Sequence, residues 1–163
     1  MFQHTFITSP GSWVGEGKIV LNMVDEDLVF YTVWNVLNRD FSGAVTSVQT
    51  IQIQGLSEGI QNEMRFFSFS KEGFSIEMQN QNVGKVLGRG IIDEKMIGWE
   101  FRGGDLKFEG YETYLLQDDG TYTLKGEYIS SDQFRTQVEG HIWQQKEASL
   151  EEDHKEADEK GKE

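Results

Sequence analysis

The sequence predicts an all-β chain: a single closed antiparallel meander barrel of about ten strands, lipocalin-like in layout. Three observations predict it. Apolar residues recur at period two, as expected of half-buried strands. Clusters of Asn, Asp, Ser and Gly break that pattern at short, even intervals. Before residue 146 no stretch combines a helical period with helix caps.

The first strand is read at 13–23, where Trp13, Ile19, Leu21 and Met23 share one face with Gly15 and Gly17 while Glu16, Lys18 and Asn22 take the other. Strands at 28–38 and 43–54 follow, separated by "NRDFSG" and ended by "GLSEG". The next is 60–70, closed by "SKEG"; then 73–80, with Phe74, Ile76 and Met78 opposing Ser75, Glu77 and Gln79. After "NQN" comes 82–93, after "DEK" comes 96–102 with Ile97, Trp99 and Phe101 in phase, and after "RGGD" comes 106–117. "QDDG" and "SSDQ" delimit the last two, 120–130 and 133–146. Connections this short cannot carry parallel crossovers, so neighbours run antiparallel. An open meander of this length leaves two apolar edges exposed, and closure removes them.

Residues 1–146 therefore form one domain of a chain of 163, long enough to bury a real core. The remainder, 147–163, is acidic and nearly free of apolar residues, and is expected to be disordered or a frayed helix. A formal net charge of −13 speaks against nucleic acid and anionic membranes as partners. With no cysteine, the chain has no disulfides and no thiolate chemistry, and it suits a reducing cytoplasmic setting. No export signal and no run of membrane-spanning length is read, so membrane insertion is not expected.

Glycine weakens a strand, so Gly15, Gly17, Gly88, Gly90, Gly110, Gly126 and Gly140 mark bends or places where something packs on bare backbone. Gly15 and Gly17 let the first strand coil, and Trp13 at its start is placed to plug a closed end. "GSW" at 11–13 resembles the Gly-x-Trp opening of lipocalins, within the calycin group that also holds the fatty-acid-binding proteins. That resemblance implies an arginine packed over the tryptophan, and Arg135 in "DQFRTQVEG" is the candidate. "GSWVGEG" is also similar to the opening of the heme-binding nitrobindin-like proteins, which carry a late-strand histidine. That similarity implies His141 as an axial heme ligand.

The three histidines, His4, His141 and His154, have no metal-site spacing, and no nucleophile elbow or phosphate loop is present. Glu100, Glu109, Glu112 and Glu127 are carboxylates that either line the interior or sit on solvated faces. Arg65, Arg89 and Arg102 bear on whether a ligand carboxylate is held inside, and parity turns Arg102 outward. Aromatics exceed what one closed end needs, and Trp34, Phe66, Trp99, Phe101, Tyr114 and Tyr128 are read as ligand-lining. The expected activity is binding of a small hydrophobic or amphipathic molecule, without a cofactor and without catalysis. The alternatives are a heme-binding or enzymatic barrel built on His141, and a filled barrel whose acidic tail steers a protein partner.

Overall fold

A computed structural model describes residues 3–102 and 107–145 of the chain; the tail at 147–163 lies outside the described residues. Ten strands follow in order: β1 (Gly11–Leu21), β2 (Leu28–Val36), β3 (Val45–Ile53), β4 (Ile60–Ser70), β5 (Gly73–Asn80), β6 (Gly84–Ile92), β7 (Met96–Phe101), β8 (Phe108–Leu116), β9 (Tyr122–Ser130) and β10 (Arg135–Gln144). Each pairs antiparallel with its chain neighbour, and β1 also pairs with β10, closing a ten-stranded calycin-like barrel. Every limit falls within two residues of the range read from the sequence. Met23 is the exception within the first pattern: it lies in the turn after β1 and is 74% exposed, because the strand stops at Leu21.

Odd strands start and even strands finish at one end, which is closed. There Trp13, Trp34, Phe66, Ile97, Tyr114, Tyr122 and Ile142 are fully buried. The segment before β1 crosses this end and drives Phe6 into it, with ring centroids 5.4 Å from Trp13, 5.2 Å from Trp34 and 4.9 Å from Tyr114. Offset and edge-on aromatic contacts of this kind add to the area they bury. Ile7, also fully buried, has φ +58, a left-handed conformation that costs a branched residue about 1–2 kcal/mol and is offset here by its burial.

His4 fastens the segment from outside the core. Its Nε2 donates to the Asp93 carbonyl at 2.6 Å, and in the neutral ring Nδ1 accepts from the Tyr122 hydroxyl at 2.8 Å. The turn before β7 and the start of β9 are thereby tied to the plug.

Two irregularities shape the wall. At Ser68, φ +53 and a shift of register between Phe67 and Ser70 form a bulge. Phe67 is left beside the Arg65 guanidinium, 4.5 Å from its ring, while Phe69 stacks on Phe74 at 5.4 Å. At the β1–β10 seam Gly17 faces Gly140, and a Cβ on Gly17 would meet the Glu139 carbonyl, so the two strands approach as bare backbone.

Candidate functional site

The opposite end differs. Ile19, Ile51, Ile53, Phe108, Tyr128 and Val138 all point inward from strand segments near the mouth, pack against the core, and stay only half-buried. The interior is thus filled below and accessible above, forming an apolar cup. Phe101, Phe108 and Tyr128 make their own aromatic group on one side of it, with centroids 6.2 and 6.1 Å apart.

A polar rail crosses the inner wall of β2–β5. Asn80 Nδ2 donates to Asn62 Oδ1 at 2.9 Å, Asn62 Nδ2 to Gln49 Oε1 at 3.0 Å, and Gln49 Nε2 to Thr32 Oγ1 at 3.3 Å. Thr32, Gln49 and Asn62 are buried, and partnering one another offsets what isolated amides would cost there.

On the opposite wall β8 carries Glu112 inward. β3 and β8 are five strands apart in the ring of ten, so this carboxyl lies across the lumen from the rail. Tyr114 donates its hydroxyl to Glu112 Oε2 at 3.0 Å, and Tyr128 hydrogen-bonds to the same carboxyl. Tyr114 belongs to the closed-end packing and Tyr128 to the mouth, so Glu112 marks the boundary between the two halves. Gly126, its partner on β9, leaves its side chain room: a Cβ there would stand 3.1 Å from Glu112 Cγ.

Burial raises the Glu112 pKa, and the two tyrosine hydrogen bonds only partly oppose the rise. Both tyrosines are pushed well above their ordinary range by burial, then by the neighbouring carboxylate. Among the described inward strand positions there is no Lys, Arg or His, and Glu112 is the one carboxyl. Trp99, its partner on β7, has a buried indole N–H with no acceptor among the described residues, as do Trp13 and Trp34, and the Ser47 hydroxyl is likewise buried and unpartnered.

The residues expected to line a ligand all point inward, but they divide. Trp34, Phe66, Trp99 and Tyr114 form one packed network, with Phe66 and Trp99 at 5.5 Å and Trp99 and Tyr114 at 4.9 Å. Phe101 is also buried, while Tyr128 faces the accessible space.

Arg135 does not cover Trp13. It begins β10 at the mouth and pairs with Glu127 on the outer face, whereas Trp13 sits opposite Gln144 at the closed end. Phe6 and Tyr122 cover the tryptophan instead. His141 lies on the exposed outer face of β10, tilted against Trp143 at 5.8 Å, and does not reach the lumen where an axial heme ligand would have to stand. Of the arginines weighed for a buried carboxylate, Arg65 faces Phe67, Arg89 is exposed, and Arg102 meets Glu100 on the surface at 3.4 Å. Glu100 and Glu109 are exposed as well.

The rail is what reading the sequence missed, and Glu112 was named only as one of four carboxylates that could turn inward. The signal was parity: Glu112 is in phase with Phe108, Tyr114 and Leu116. It was hidden because Tyr111 and Leu115 make the outer face of β8 look equally apolar. A second concavity, about 560 Å³, lies in the outer wall of β5–β8 and includes Ser75, Arg89, Ile91, Gly98, Glu100 and Tyr111. No group of side chains able to hold a metal ion is found among the described residues. No helix there is long and apolar enough to cross a membrane.

No protein-family model matches the sequence, and no curated protein matches it significantly. Among solved structures, the chain is similar to an S-type phycobiliprotein lyase from Guillardia theta, with a TM-score of 0.64 at 8% identity. The likeness covers 86% of this chain and 91% of that one. At this identity it is a likeness of fold.

Proposed function

We propose that this barrel binds a small hydrophobic or amphipathic molecule in the mouth half of its lumen. The observation that carries the reading is the ring of half-buried inward apolar side chains, Ile19, Ile51, Ile53, Phe108, Tyr128 and Val138, above a floor packed shut by Trp34, Trp99 and Tyr114. A surface that is concave, apolar and equipped with few polar groups is what small-molecule sites consist of, and barrel mouths are a frequent place for them. The fold shared with a phycobiliprotein lyase supports the reading by analogy.

The test is a titration with the neutral dye Nile red, followed by displacement with dodecanol. Saturable binding is expected, and Ile51→Trp or Val138→Trp, which fill the cup, should weaken it about tenfold or more, given the several hydrocarbon contacts each displaces. Thermal unfolding of the same variants checks that they remain folded. Binding that is non-saturable, or indifferent to both substitutions, would remove the proposal.

Acid–base catalysis is the second reading, favoured by one specific observation: Glu112, Tyr114 and Tyr128 converge, and all three have shifted pKa values. It predicts that a bound molecule leaves chemically altered, which mass spectrometry of ligand recovered before and after incubation decides.

A further inference from the structure

The ligand-binding reading leaves the chemistry of the occupant open, and the distribution of charge inside the barrel narrows it. An anionic head drawn into the barrel would need an interior cation or donors, but every described Arg and Lys here lies on an outward strand face, in a turn or at the rim. Among the described residues the interior carries the opposite sign, through Glu112 alone.

A carboxylate drawn out of water needs donors or a counter-charge. The tyrosine hydroxyls of Tyr114 and Tyr128 supply two donors, and no described cation supplies the charge. A carboxylate has about four acceptor directions, so two hydroxyls leave it with unused capacity. Its position is also suited to receive something from above, since Tyr114 seals the side toward the closed end while Tyr128 stands toward the half-buried cup.

Resting on the ligand-binding reading, we infer that the occupant is an apolar molecule bearing an N–H-donating nitrogen, a primary ammonium being its simplest form, seated with that nitrogen on the Glu112 carboxylate and its hydrocarbon against Ile19, Ile51, Phe108 and Val138. An anionic amphiphile is disfavoured at the same place, since its head would meet a like charge with no cation between them. The neutral amides of the rail on the far wall accept a polar edge of either kind and do not alter this preference.

The experiment is calorimetry of the full chain with four twelve-carbon probes below their micelle concentrations: dodecylammonium, dodecyltrimethylammonium, dodecanol and dodecanoate. The two cations feel the protein's overall negative charge alike, and only the primary ammonium donates N–H bonds. Dodecylammonium should bind about tenfold or more tightly than its trimethyl counterpart, the size of one charge-assisted hydrogen bond, with dodecanoate weakest. In Glu112→Gln the two cations should become equal to within about twofold.

Equal binding of the two cations in the native protein overturns the inference even if the variant cannot be made, and so does dodecanoate binding as tightly as dodecylammonium. A preference that survives in Glu112→Gln assigns it to another group and overturns the role given to this residue. If dodecanol binds and the cations show no preference, the ligand-binding reading stands and the inference alone fails. If none of the four binds, both fall together.

Discussion

The two ends of this barrel are built from the same alternating strands and do opposite things with their inward side chains. At the closed end, Phe6, Trp13, Trp34, Tyr114 and Tyr122 interlock with no exposed surface. At the mouth, Ile19, Ile51, Phe108, Tyr128 and Val138 pack against the core but stay only half-buried. The difference teaches that one end holds the structure together and thereby lets the other remain underpacked. Close packing is where truncation costs most, so stability and binding are separable by position along the barrel axis.

The sharpest way to break this comparison is to remove the plug. Phe6→Ala, which empties a fully buried ring site, should cost about 3–5 kcal/mol in urea unfolding. Ile51→Ala, at the half-buried mouth, should cost about 1–2 kcal/mol by the same measurement while weakening dye binding more than Phe6→Ala does. Equal losses at the two positions would mean the mouth is packed as tightly as the floor.

Glu112 at the boundary gives a pH signature. Burial raises its folded pKa above the unfolded one, so its contribution to stability is complete below the unfolded value, about pH 4.3, and is lost as pH rises through the folded value. Asp40, Asp119 and Asp132 are held low, first by side-chain hydrogen bonds from Ser42, Thr121 and Ser130, and act in the reverse direction. They are common to both proteins and cancel in a difference. The stability of Glu112→Gln minus that of the native chain should therefore grow as pH rises from about 4 and then level off; a flat difference in unfolding free energy would place the carboxyl in a water-like setting.

The smallest effect is expected outside the wall. Arg135→Ala breaks an exposed pair with Glu127 and should change stability by no more than about 1 kcal/mol. Combined with Trp13→Phe it should be additive, since the two residues occupy opposite ends of the seam. Measurable coupling would restore the tryptophan–arginine pair that the lipocalin resemblance implies.

Strand number, limits and pairing were legible because period-two alternation and turn chemistry are local properties of the chain, as β5 illustrates with Phe74, Ile76 and Met78 on one face and Ser75, Glu77 and Gln79 on the other. Trp13 as a closed-end residue was legible for the same reason. Partners across the lumen were not. Phe6 reaches Trp13, Trp34 and Tyr114 only after closure brings three separate strands to one place, and nothing adjacent to it in sequence announces that. Arg135 and Trp13 share a sheet but not a height, which follows from antiparallel register: β10 begins where β1 ends. The His141 expectation failed to reach the lumen on parity, since Ile142 takes the inward place beside it. Glu112 was weighed with Glu100, Glu109 and Glu127 but not singled out, because aromatic residues occupy both faces of β8 and alternation there carries no sign.

The seam between β1 and β10 has a further consequence, in time instead of space. Every other pairing joins chain neighbours and can form as a hairpin, whereas Trp13 must find Gln144 across nearly the whole chain. Ring closure is therefore the one step with a large entropic search, and folding speed should be governed by it more than by any hairpin. Until that step completes, the first and last strands present bare edges to whatever chain is nearby, so the interval before closure is when this protein is most exposed to association with its own copies.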